Sequence, residues 1–173
     1  MTTTGEPGTV EPLRAWARGS LPLSAAVELL VHAFDGRFAA ASQPWIRVEP
    51  TGAVWLDDQF LAAGLGALSG GERRVLTVVA ALADSTGTRR IDLTDVVTGL
   101  DRDNLDLVLA ALDHASGSHE HAGLELADDR HSARLVRLPS LHPWPDVPTT
   151  NSTSDGLASR GSTAAATRRY LGR

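Results

Sequence analysis

The sequence predicts an α+β fold followed by a disordered C-terminal tail, and three observations carry that expectation. Apolar residues recur at helical spacing in several separate stretches. Two short stretches alternate apolar with polar residues across turn-forming residues, the pattern of β-hairpins. From Pro143 onward the chain is rich in Pro, Thr, Ser, Gly and Ala, with few large apolar residues to offset the entropy of ordering. With 173 residues, 42% hydrophobic and 21% charged, the chain is long enough to bury a core as one domain with tails.

In chain order, residues 1–12 read as a flexible, polar N-terminus. A helix is expected near Leu23–Phe38, where Leu23, Val27, Leu30, Val31, Phe34 and Phe38 share one face and Ser24 is placed to cap it. Trp45–Glu49 and Ala53–Leu56 flank the turn Pro50-Thr51-Gly52 as a hairpin, and a short helix follows over Asp58–Leu65. Ser69 and Glu72 have the spacing of a capping box, and Val75, Leu76, Val78, Val79 and Leu82 continue as one apolar helical face. Ile91 falls in a short extended stretch, and Asp92–Thr98 reads as a second helix stopped by Gly99. Asp101 caps a third helix whose buried face is expected to carry Leu105, Val108, Leu109 and Leu112. Leu124–Leu126 and Arg134–Leu138, around the turn Asp128–His131, form a second hairpin.

Helix, short strand, helix, tight turn with glycine, helix and hairpin is the order of a winged helix-turn-helix, which residues 69–140 resemble in organisation. The expected layout is a flexible terminus over 1–12, a helix and hairpin lead-in over 13–68, the winged-helix-like domain over 69–140 and a disordered tail over 141–173. In that family the third helix enters the major groove of DNA.

Composition removes several chemistries. There is no cysteine, hence no disulfide, thiol nucleophile or thiolate zinc site. All 16 basic residues are arginine, which excludes Schiff-base lysines. Leu68-Ser69-Gly70-Gly71-Glu72 is similar to the signature motif of ABC-type ATPases, and Asp95 stands near the place of their acidic strand end. That family holds phosphates with a P-loop lysine, absent here, and Val96 follows Asp95 where a glutamate belongs. A capping box accounts for the same string, so no nucleotide is expected. No G-x-S-x-G occurs, and the carboxylate pairs Asp57-Asp58 and Asp128-Asp129 fall at turns or caps, so no enzyme is expected. His114, His119 and His121 cluster near Glu120 as weak metal candidates without a longer ligand signature. No cofactor is expected.

Charge distribution separates the two remaining classes. The net charge of -5 is spread as -3 over 1–68, -4 over 69–140 and +2 over 141–173. The third helix carries Arg102, Asp103, Asp106 and Asp113 at polar positions, a set that repels phosphate and suits a protein partner. The alternative is DNA contact through Arg89 and Arg90 and the hairpin arginines Arg130, Arg134 and Arg137. The polar start carries Glu6 and Glu11 rather than the positive charge of a signal peptide, and the apolar stretch Leu21–Phe34 is broken by Glu28 and His32. A cytoplasmic, membrane-free location is the expectation.

Overall fold

A computed structural model describes residues 8–126 and 133–145. It is a mixed α+β arrangement in which helices build the core and each of two short hairpins forms its own two-stranded antiparallel sheet. No helix among the described residues is long and apolar enough to cross a membrane.

Helix α1 (Val10–Ala17) lies partly inside the stretch expected to be flexible. It buries Leu13 and Ala17, one helical turn apart, while the Thr9 hydroxyl ahead of it donates to the Ala39 carbonyl at 2.6 Å. Arg14 on its flank meets both carboxylate oxygens of Glu28, at 2.7 and 2.8 Å, and so ties α1 to the next helix.

Helix α2 (Leu21–His32) is capped by Ser20, whose hydroxyl accepts from Leu23 N–H, and not by Ser24. It ends at His32, six residues short of the expected end. Phe34, Asp35 and Gly36 all take positive φ, so the chain turns left-handed and continues as 3-10 turns to Ala39. Gly36 suits that reversal: a Cβ there would press on the Val31 carbonyl oxygen. The helical period survives the break because Phe38 re-enters the same core from the far side of the turn.

Strands β1 (Ile46–Val48) and β2 (Val54–Leu56) pair with Ile46 opposite Leu56 and Val48 opposite Val54. Helix α3 (Asp58–Gly64) follows, with the Asp57 carboxylate accepting from Phe60 N–H at 2.9 Å. Helix α4 (Gly70–Ala83) begins at the Ser69–Glu72 capping box. Glu72 accepts from Ser69 N–H at 2.9 Å and also pairs with Arg37. Residues 88–92 form no paired strand, so the extended stretch expected at Ile91 is a loop with Ile91 set against the core.

Helix α5 (Leu93–Thr98) is capped by Asp92, and helix α6 (Arg102–Ser116) by Asp101, which accepts from Asn104 N–H at 2.8 Å. Arg74 of α4 reaches across to Asp95, donating to its carbonyl at 2.8 Å and its carboxylate at 3.0 Å. Its guanidinium lies where a Cβ on residue 99 would be, so glycine at that turn is what lets α4 hold α5. The residues that resemble an ATPase signature therefore act as a cap and a brace. Strands β3 (Ala122–Leu126) and β4 (Ala133–Arg137) close the order, and the turn expected at Asp128–His131 lies outside the described residues.

One core joins the helices and the β1–β2 hairpin. Ala25, Ala26, Val27, Leu29 and Leu30 of α2 are fully buried between α4 and α6, which supply Val75, Leu76, Val79, Val108 and Ala111. The lead-in helix is thus the centre of the fold. Its burial follows from near-continuous apolar sequence, which leaves little polar surface for solvent.

Candidate interaction surface on helix α6

Helix α6 presents three sides. Val108, Ala110 and Ala111 are buried, with Leu107 and Ala115 half-buried against the core. The expected leucine stripe is rotated away from this contact: Leu109 and Leu112 are 43% and 41% exposed, and Leu105 is half-buried. The physical reason is size. The buried side of α6 is built from the small side chains of Val108, Ala110 and Ala111, and the leucines fall on the flank. Apolar periodicity alone does not tell those two sides apart.

The third side holds a segment expected to begin the disordered tail. Residues 139–145 lie along α6 as a non-helical strap bent at Leu141–His142, in which Ser140, His142 and Trp144 are half-buried while Leu141 and Pro143 are exposed. The Ser140 hydroxyl donates to the Asp113 carboxylate, and His142 Nε2 meets Asp106 Oδ1 at 2.8 Å. Trp144 Nε1 donates to His114 Nδ1 at 3.4 Å, and the indole stacks on the His32 ring of α2 with centroids 5.1 Å apart. Leu138 N–H donates to the His121 carbonyl and Leu141 N–H to the Ser118 hydroxyl, which set the strap's course. Burial opposes ionisation of Asp113, yet hydrogen bonds from Ser118 and Ser140, with His142 nearby, hold its carboxyl below the usual value.

The four residues expected to form an acidic interaction face are therefore divided. Arg102 and Asp103 are exposed, whereas Asp106 and Asp113 are engaged by the strap. The strap itself was missed by sequence reasoning. Its available signal was the alternation Ser140, His142, Trp144 among Pro139, Pro143 and Pro145, which disfavour helix.

Two of the basic candidates are engaged in ion pairs. Arg89 pairs with Asp58 of α3 at 3.4 Å, and Arg90 is exposed. Arg134 pairs with its cross-strand neighbour Glu125 at 2.6 Å. Arg137 is exposed three residues further, on the opposite face of the hairpin by strand alternation. Arg130 lies outside the described residues.

His114 and His119 stack with centroids 4.7 Å apart, while His121 is exposed. Among the described residues no three His, Asp or Glu side chains are grouped to hold a metal. Burial first, and His119 second, push the His114 imidazole below its ordinary value of 6.5, which favours the neutral ring that accepts from Trp144. The chain matches no family model, no curated protein and no solved structure.

Proposed function

We propose that this chain is a non-enzymatic, cytoplasmic protein–protein interaction module on a winged-helix-like scaffold, with α6 as its contact element. The order α4, α5, α6 and the β3–β4 hairpin, with a three-residue turn at 99–101, supports the scaffold reading. The observation that carries the function is the outward side of α6, where Leu109 and Leu112 stand exposed and Arg102, also exposed, lies two turns before Leu109 on the same side. An exposed apolar stripe with one arginine at its start fits a protein surface, and a lone arginine offers little to a phosphate backbone.

The second reading is DNA contact through Arg89, Arg90, Arg134 and Arg137, favoured by the exposure of Arg90 and Arg137. Two measurements separate them. A photo-crosslinking residue at position 109, used in the cells of origin, is expected to give a discrete protein adduct that Leu112→Glu removes. Duplex DNA titrated at about 50 and about 200 mM salt is expected to bind weakly and without sequence preference. Sequence-selective DNA binding at the higher salt, lost in Arg90→Ala/Arg137→Ala, would overturn the interaction reading.

A further inference from the structure

We propose that the groove between α2 and α6 is a docking site for a non-helical, tryptophan-anchored segment, and that residues 139–145 occupy it in cis. This inference rests on reading the chain as an interaction module and names a second surface on α6, which adjoins the exposed Leu109–Leu112 flank. The groove is chemically specific. It offers a carboxylate at Asp113, a second at Asp106 two turns earlier on the same helix, and an imidazole pair, His32 and His114, that receives an indole.

A matching segment needs hydrogen-bond donors two residues apart, then an indole two residues later, in a non-helical conformation that bends between the donors. The strap supplies this pattern as Ser140, His142 and Trp144, and its alternation is complete: Ser140, His142 and Trp144 are half-buried, while Leu141, 86% exposed, and Pro143 face solvent.

Two features make the occupant exchangeable. The strap adds no strand to a sheet and is held mainly by side chains, several of them at half-exposed positions where each contact is weak. Its prolines also fix much of its conformation before docking, so a free segment of the same pattern loses little entropy on binding. The tether through β4 gives the cis segment a high effective concentration, and that advantage is what a partner must overcome.

The test uses a fluorescently labelled synthetic peptide of residues 138–145, titrated into the full chain and followed by anisotropy. Trp144→Ala empties the indole position and is expected to bind the peptide at least about tenfold more tightly than the unmodified chain, in which the strap competes. A peptide with alanine in place of its tryptophan is expected to lose at least about tenfold in affinity for that variant. Circular dichroism and a cooperative melt establish that Trp144→Ala is folded. Should it not fold, Ser140→Ala/His142→Ala in the full chain releases the strap while leaving the indole, and an increase in peptide binding is expected there. Equal binding by the unmodified and strap-weakened chains, or no binding by a folded strap-weakened chain, overturns the proposal. Leu112→Glu alters the side of α6 about 100° around the helix from Asp113 and leaves the groove residues unchanged, so loss of the crosslinked adduct in that variant reports the wider interaction reading while peptide binding reports the groove.

Discussion

Helix α2 and the β3–β4 hairpin have equally clear apolar patterns and opposite fates. In α2, Leu29 and Leu30 are wholly buried between α4 and α6. In the hairpin, the directly opposed pair Leu124 and Leu135 is 75% and 71% exposed. Pattern declares which side of an element is apolar, but burial depends on whether a second element arrives to cover it. Helix α2 has α1, α4 and α6 as such neighbours, and two strands alone cannot cover their own face.

The contrast can be broken first at α2. Leu29→Ala leaves a cavity in a close-packed region and is expected to cost about 2–5 kcal/mol, read from denaturant unfolding. A loss under about 1 kcal/mol would place the core elsewhere. Ser69→Ala comes next, at about 1 kcal/mol for a helix cap, and ATP is expected to leave the melting temperature unchanged in both chains. A melting temperature raised by ATP only when Ser69 is present would restore the nucleotide reading.

A smaller, pH-dependent effect belongs to His114. Its folded value lies below 6.5, so the native state disfavours the proton that the unfolded chain accepts. The associated stability is complete above 6.5 and declines as pH falls from there towards the folded value. His114→Gln is expected to lose less melting temperature than the unmodified chain between pH 7.5 and pH 5.5; an equal loss would show that His114 does not report the fold. The smallest effect is expected at the hairpin, where Leu135→Thr should change stability by less than about 0.5 kcal/mol. A large loss there would mean that the pair is covered in solution.

Local chemistry made much of the fold legible. Asp101, Asp92 and the Ser69–Glu72 pair cap helices because a side-chain oxygen at that position satisfies an otherwise unpaired amide, a relation that needs no knowledge of the rest of the chain. Non-local relations stayed hidden. The end of α2 at His32 depends on a left-handed turn that begins at Phe34, a bulky residue that does not ordinarily announce positive φ. Which flank of α6 faces inward depends on α2, some seventy residues earlier in the chain. Of the candidate surface, the acidic residues of α6 were readable, but their division between solvent and strap was not. That division is made by Ser140 and His142, in a stretch whose composition alone suggests disorder.

The central position of α2 also bears on how the protein is made. The helix leaves the ribosome about seventy residues before α6, which at roughly 5–20 residues per second is a delay of about 4–14 s. Through that interval Leu29 and Leu30 have no α6 to meet, and the nascent chain displays its most apolar helix to chaperones and to neighbouring chains. Completion of α6, far more than completion of the first half, ends that exposure.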